Sequence, residues 1–291
     1  MKFKKQIIFG VAVASVFTAC TNEDIPSAPQ APVQSVATRV SVNVRSFGDP
    51  SRVEELASGY STLNGYFFTQ GKLTKEYTGI SGVGPNYTIE LPDSLGTLYF
   101  VANPASDFTS QVTPGITAEV FAKLTAGRDG VDACPMTASL ELDKMSEYGN
   151  LSATLTRAVA RIDAQPISDN VRITDITLNG VAQNGYYFTQ ESVQTAAGGT
   201  TTVSRNFDEP LAALESGVFH LYEQTGAISV EVQAEVNGNP RTLTTTLPAT
   251  IERNHVYTLK VSSKSVQVTV NVGVGEWQQG EDVSIDADTD L

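Results

Sequence analysis

Apolar and polar side chains alternate along most of this chain, and the alternation restricts the folds that are open to it. In residues 38–47, Val40, Val42 and Val44 fall on one face and polar side chains fall on the other. A period of two is that of a half-buried β-strand. Similar segments lie at 63–69, 86–91, 97–102, 138–142, 151–164, 171–178, 185–190, 218–223, 228–236, 241–247, 256–262 and 265–274.

The stretches between these segments carry turn signals. Asn237-Gly238-Asn239-Pro240 separates two alternating runs, which predicts a hairpin with Gly238 at positive φ. Only 50–58 and 116–126 have a helical pattern, and both are short. Many strands with turns between them predict an all-β fold that is built from sandwiches.

A short internal similarity bears on how the strands are divided. Residues 64–70 (NGYFFTQ) recur as 184–190 (NGYYFTQ), with six of seven residues identical at a displacement of 120 residues. This displacement is about the length of one β-sandwich domain, although short aromatic words also recur by chance in strand-rich sequences. Together with the interruption at 145–151, it predicts an N-terminal domain at 37–148 and a C-terminal domain at 149–291.

The N-terminus has the pattern of an export signal. A basic start is followed by an apolar run at 6–17 that is too short to span a bilayer. Phe17-Thr18-Ala19-Cys20 then resembles a bacterial lipobox. We therefore expect a lipoprotein signal peptide at 1–19 and a lipid anchor on Cys20, where several acyl chains would give stable anchoring. A plain secretory signal with an incidental cysteine is the alternative.

The segment that follows is small, polar and proline-containing. We expect residues 20–36 to form a flexible, lipidated tether, because such a composition cannot fill a core. The acidic pair Glu23-Asp24 resembles the surface-export signal of Bacteroidetes lipoproteins, which implies a place on the outer face of the outer membrane. An ordinary solvated linker is the alternative.

Charge and cysteine content exclude several classes of protein. The whole chain has a formal charge of −13, and removal of 1–19, which hold three lysines and no acid, leaves −16. Nucleic acid and anionic membrane surfaces are therefore poor partners. Cys134 is the one thiol left once Cys20 carries lipid, which excludes an intrachain disulfide and a cysteine-based metal cluster.

The sequence offers no motif for catalysis. It has no Gly-x-Ser-x-Gly elbow, no phosphate-binding glycine loop and no His-Glu-x-x-His pair. Its two histidines, His220 and His255, lie within or beside predicted strands, where hydrogen-bonded structural roles are expected. The sequence thus predicts no catalytic residue, no cofactor, no metal site and no enzymatic activity.

Five segments follow the lipobox and the tether in a distinctive order. They are 98–103 (LYFVAN), 135–138 (PMTA), 155–162 (LTRAVARI), 251–259 (IERNHVYTL) and 274–277 (VGEW). Their order and spacing, over nearly the whole mature chain, resemble the fimbrillins, the subunits of the type V pili of Bacteroidetes. The resemblance implies two transthyretin-like β-sandwich domains in tandem and a surface pilus subunit that contributes to adhesion.

The resemblance also implies how such a subunit assembles. An arginine-specific protease removes the first strand of the N-terminal domain, and a strand of another subunit fills the groove. Here the removable strand is 36–45, and Arg45 is the candidate cleavage residue, with Arg39 and Arg52 as fallbacks.

The strand that would fill the groove is expected near the C-terminus. The candidate donor lies in 265–285 and carries an alternation like that of the first strand, at Val266, Val268, Val270 and Val272. An ordinary edge strand would show the same pattern, so both interpretations stay open.

The expected function is that of a structural subunit of the fimbrium on the cell surface. Its expected partners are other pilus subunits, an arginine-specific protease, and the outer membrane through the lipid on Cys20. A surface glycan-binding lipoprotein is the alternative. One tryptophan argues against it, because such sites use exposed aromatic platforms, but ten tyrosines could supply them. A tethered hydrolase is a third hypothesis, which no catalytic constellation supports.

Overall fold

The structure is a computed structural model that describes residues 35–44, 60–81, 86–143, 150–272 and 278–279. Strands dominate these residues, which confirms the predicted all-β class. The helices in the described ranges are short, and none of them is long and apolar enough to cross a membrane.

The described part of the first half contains strands and, between the fifth and the seventh of them, short helical turns. The elements are β1 (Ser35–Val44), β2 (Leu63–Thr69), β3 (Lys72–Tyr77), β4 (Asn86–Pro92), β5 (Gly96–Ala102), α1 (Phe108–Gln111), α2 (Ala118–Phe121), β6 (Thr125–Gly127), the 3-10 helix η1 (Arg128–Ala133), β7 (Met136–Leu142) and β8 (Asn150–Arg157).

The elements in the described part of the second half are all strands. They are β9 (Val159–Pro166), β10 (Val171–Ala182), β11 (Asn184–Tyr186), β12 (Thr200–Leu211), β13 (Glu215–Tyr222), β14 (Gln224–Thr225), β15 (Ser229–Val236), β16 (Asn239–Thr246), β17 (Thr250–Ile251), β18 (His255–Val261), β19 (Val266–Val272) and β20 (Gln278–Gln279).

Two layers of strands form a first sandwich. One layer has the order β8-β1-β4 and the other has the order β3-β2-β5-β7, and a short pairing of β7 with β8 connects them. Inward side chains of both layers form one buried cluster, which includes Val40 from β1, Ile89 from β4 and Phe100 from β5. The alternation read from the sequence thus becomes the core between two faces.

A second sandwich follows along the chain. Its layers are β13-β9-β18-β19-β20 and β12-β10-β15-β16. Both layers contribute to one cluster, with Ile173 and Ile176 from β10 and Leu259 from β18 among its members. Each sandwich therefore has a core of its own.

A third cluster connects the two sandwiches through the segment between β5 and β7. It combines Tyr66 and Phe68, on the face of β2 opposite to the first core, with Phe108, Phe121 and Tyr187. The rings of Phe108 and Tyr187 meet edge to face, with centroids 4.6 Å apart at 72°, which is a favourable arrangement of aromatic pairs.

The two similar segments of the sequence, 64–70 and 184–190, have different structures. Both copies contribute aromatic rings to the third cluster, Tyr66 from 64–70 and Tyr187 from 184–190. The first copy is a full strand that pairs on both sides with β3 and β5, whereas the second forms only the three-residue strand β11. The two copies therefore do not occupy equivalent positions of two domains.

The division into domains at 148/149 stays a prediction. One strand that follows this boundary in the chain nevertheless belongs to the first sandwich. Residues 150–157 fall in the predicted C-terminal domain of 149–291, yet they form β8, which pairs with β1 and β7 of the first sandwich. The change of sandwich occurs at Ala158, whose amide donates to the carbonyl oxygen of Pro135 at 2.8 Å.

The hairpin predicted at Asn237-Gly238 is confirmed. It joins β15 to β16, and Val236 pairs with Asn239 across the turn. Asn237 has φ of 54° and Gly238 has φ of 76°. Positive φ at both central residues is the requirement of a type I′ turn, and Asn-Gly meets it at little cost.

Other local expectations need correction. The predicted strand 151–164 is two strands, because β8 and β9 pair in different sheets. The predicted helix 116–126 contains only one turn of α-helix, α2, at whose start the Val120 amide donates to the Thr117 side chain. Residues 187–190, predicted to continue a strand, are irregular. The predicted helix 50–58 lies outside the described residues.

Candidate functional site

Strand β1 lies inside a layer although it comes first in the chain. It pairs antiparallel with β4 from Ser35 to Ser41 and parallel with β8 from Arg39 to Val44. Both of its backbone edges are therefore used over the middle of the strand, where Arg39 faces Thr88 on one side and Asn150 on the other.

The inward side chains of β1 fill the first core. Thr38 and Val40 are fully buried and Val42 is 2% exposed, whereas Ala37 and Arg39 on the other face are exposed. The valines belong to the same cluster as Ile89 of the neighbouring strand β4. Removal of β1 would thus leave two open strand edges and three empty side-chain positions.

Such a groove between β4 and β8 would have a defined chemistry. Its walls would be rows of unpaired N–H and C=O groups, which bind another extended chain by strand addition. Its floor would accept side chains at every second residue, as Thr38, Val40 and Val42 do here. An incoming strand would run parallel to one wall and antiparallel to the other, whichever direction it took.

The structure places only some of the predicted assembly residues. Arg39 lies in the middle of β1, where pairing on both sides means that a protease could reach its backbone only after the strand leaves the sheet. Cys20, Arg45 and Arg52 lie outside the described residues.

The predicted donor segment includes a strand of the second sandwich. β19 pairs antiparallel with β18 along its whole length, and Val270 and Val272 face Tyr257 and His255 in this pairing. Val266 and Val268 are 1% and 4% exposed. Donation of 266–272 would therefore remove two valines from the core of their own subunit. Residues 273–277 and 280–285 lie outside the described residues.

Five of the tyrosines are buried and cannot serve as exposed platforms for a glycan. They are Tyr66, Tyr87, Tyr187, Tyr222 and Tyr257. Burial raises the pKa of Tyr66 and the pKa of Tyr257 to about 12, so both rings stay neutral at physiological pH. The hydroxyl of Tyr222 donates to the carbonyl oxygen of Gly127 at 2.8 Å, which connects the second sandwich to β6.

The two histidines have local partners. His255 Nδ1 lies 2.9 Å from the carbonyl oxygen of Arg253, and His220 Nδ1 lies 3.5 Å from Asp132 Oδ1. Within the described ranges, no group of three or more His, Cys, Asp or Glu side chains has the arrangement of a metal site.

Sequence reasoning missed the role of Arg253. Arg253 lies in the turn before β18, and its side chain is buried beside Glu223, with Nε 3.2 Å from Oε2. The guanidinium also donates to the carbonyl oxygens of Tyr186, Tyr187 and Phe188, at 3.1, 2.9 and 3.2 Å. Arg253 thus holds the irregular segment whose rings enter the third cluster.

Comparison with known proteins is informative at the level of the fold. No protein-family model matches the chain, and a search of curated proteins gives no match. Among solved structures, the tip fimbrial protein Mfa3 from Porphyromonas gingivalis with C-terminal truncation is similar, with a TM-score of 0.55 at 13% identity. The alignment covers 81% of this chain and 98% of that chain.

Two proteins from Parabacteroides distasonis are similar as well. A fimbrial assembly protein has a TM-score of 0.52 at 16% identity, over 82% of this chain and 96% of its own. A candidate cell adhesion protein has a TM-score of 0.54 at 18% identity, over 77% of this chain and 88% of its own. The resemblance to the fimbrillins is therefore confirmed in the fold, and the chain has the fold of fimbrial proteins.

Proposed function

We propose that this protein is a fimbrillin, a structural subunit of a surface pilus that assembles by strand exchange. The observation that carries the proposal is the position of β1, which lies between β4 and β8 and fills the core with Thr38, Val40 and Val42. The fold shared with a tip fimbrial protein and a fimbrial assembly protein supports a structural role rather than a catalytic one.

Strand exchange would convert this position into a polymer contact. Loss of β1 opens the groove, and a segment from 265–285 of another subunit replaces the strand. Each fully buried valine contributes about 1.5–3 kcal/mol of hydrophobic free energy, and two ladders of backbone hydrogen bonds form. The donor and the groove are different surfaces, so the contact does not close on itself and builds a filament.

The cleavage that starts assembly is expected at Arg45. This residue follows directly after Val44, the last residue of β1, so a cut after it would release the whole strand. A cut after Arg39 would leave Val40 and Val42 on the subunit and the groove partly filled. Arg39 and Arg52 remain the fallbacks.

The cellular part of the proposal rests on the N-terminal sequence. A lipid on Cys20 and the tether of 20–36 would hold the subunit at the outer membrane before cleavage, facing the cell exterior. Cleavage at Arg45 would then release the subunit from its anchor and prime it for assembly in one step.

Treatment with an arginine-specific protease tests the proposal. With the purified chain from residue 21 onward, we expect one cut after Arg45, followed by growth into ladders that resist SDS. Mass spectrometry of the new N-terminus and light scattering measure the two events. The variant Arg45→Lys keeps the charge but removes the cleavage residue, and it should stay uncut and monomeric. A cut after Arg45 without any growth in size would contradict strand exchange.

A further inference from the structure

A second surface of the molecule has the features of a small-molecule site. A cleft of about 320 Å³ lies on the second sandwich, where η1 approaches β12 and β13. None of the residues that line it belongs to β1, β4 or β8, so it is separate from the proposed groove. The side chains used below are Asp132, Arg205, Phe207, Glu215, Val218 and His220.

The backbone at this cleft is irregular and firmly held. The pairing of β13 with β9 shifts between Glu215 and Phe219, and Gly217 within the shift has φ of 70°. Its amide donates to Asp163 Oδ1 at 2.8 Å, and Arg161 Nε binds the same carboxylate oxygen at 2.9 Å. Such β-bulges re-aim side chains and occur often beside functional sites.

Charged side chains of both signs line the cleft. The side chains of Arg205 and Glu215 are exposed and form no hydrogen bond or ion pair with any residue that the structure describes. Asp132 is 87% exposed and lies beside His220. Burial lowers the pKa of His220, so its ring is neutral at pH 7.

This combination favours a neutral ligand with many hydroxyl groups. With His220 neutral, the two carboxylates and one guanidinium leave the cleft a formal charge of −1, which repels an anion. The separated groups of both signs also offer hydrogen-bond donors and acceptors side by side. A hydroxyl group can both donate and accept a hydrogen bond. One polyhydroxylated ring can therefore donate to the carboxylates and accept from the guanidinium at the same time. The half-buried Phe207 and Val218 add apolar surface for the C–H face of such a ring.

We propose that this cleft binds a neutral saccharide of one or two sugar units. Its volume lies at the lower end of the range of small-ligand pockets, which limits the ligand to about that size. The C-terminal half of the protein would then carry an adhesive site that does not depend on polymerisation. The buried tyrosines take no part in it.

Binding by the uncleaved chain of residues 21–291 tests this proposal. The probes are the methyl glycosides of glucose, galactose, mannose, fucose and N-acetylglucosamine, together with maltose and lactose, followed by saturation-transfer NMR and calorimetry. We expect saturable binding of at least one probe. Arg205→Ala and Glu215→Gln should each weaken it about tenfold or more, since each removes a hydrogen bond to a charged group.

Matched controls lie on β15 and β16, two and three strands away from β12 in the same layer. Arg241→Ala and Glu235→Gln change exposed charges on β16 and β15, and they should leave saccharide binding unchanged. Three outcomes would overturn the proposal: no saturable binding of any probe, binding that both cleft variants retain at full strength, or a cleft that binds a charged peptide and none of the sugars.

Discussion

Replacement of Arg253 by methionine is expected to lower the free energy of unfolding by about 3–5 kcal/mol, because it leaves the Glu223 carboxylate buried without its partner. The side chains of Arg253 and Glu223 are each only 7% exposed. The change also removes the guanidinium that donates hydrogen bonds to the backbone carbonyl oxygens of residues 186–188. Urea unfolding, followed by circular dichroism, measures the loss.

A surface ion pair provides the control for this prediction. Lys123 binds Glu119 at 2.9 Å, but both side chains are exposed, so Lys123→Met should change stability little. The double variant Arg253→Met, Glu223→Leu should recover part of the loss, because no buried charge remains. Equal stability of Arg253→Met and the parent protein would show that the buried pair does not stabilise the fold.

Replacement of Val40 by aspartate is expected to displace β1 from the first sandwich. Val40 is fully buried in the cluster that joins the two layers, and an unpaired carboxylate there would cost at least about 4 kcal/mol. This cost opposes the pairing and packing of β1, so the strand should leave the sheet far more often than in the parent protein. We therefore expect β1 to detach and Arg39 to become a substrate of the arginine-specific protease. The rate of cleavage and the urea midpoint measure the two effects.

The exposed face of the same strand offers a matched substitution. Ala37→Asp introduces the same carboxylate opposite Glu90, where like charges across a pair of strands cost about 1 kcal/mol or less. In an Arg45→Lys background, which lacks the proposed cleavage residue, Ala37→Asp should keep β1 in place and Arg39 uncut, whereas Val40→Asp should expose Arg39 to the protease. If Val40→Asp is as stable and as resistant to the protease as Ala37→Asp, β1 does not close the core as described.

Local patterns in the sequence predicted part of this fold well. The alternation of Val40 and Val42 identified β1 and its buried face, and Asn237-Gly238 identified a hairpin, because both signals depend only on neighbouring residues. The long edge strand β12 was missed. Its inward side chains, Val203, Phe207 and Leu211, are four residues apart with polar residues and Pro210 between them, which hides the period of two.

Features that depend on distant residues could not be predicted in the same way. Strands β8 and β9 read as one segment, because nothing near Ala158 indicates that the two strands pair with different partners. The role of Arg253 depends on Glu223, thirty residues earlier in the chain. The interior position of β1 depends on pairing with β4 and with the much later β8, so the sequence alone indicated a strand but not a groove.

Competition with the displaced strand tests the proposed assembly most directly. After cleavage at Arg45, a synthetic peptide of residues 35–44 is added in excess while light scattering follows growth. We expect this peptide to reoccupy the groove between β4 and β8 and to stop assembly. A peptide with aspartate in place of Val40 and Val42 should have no effect. Growth that continues unchanged in the presence of the native peptide would contradict strand exchange at this groove.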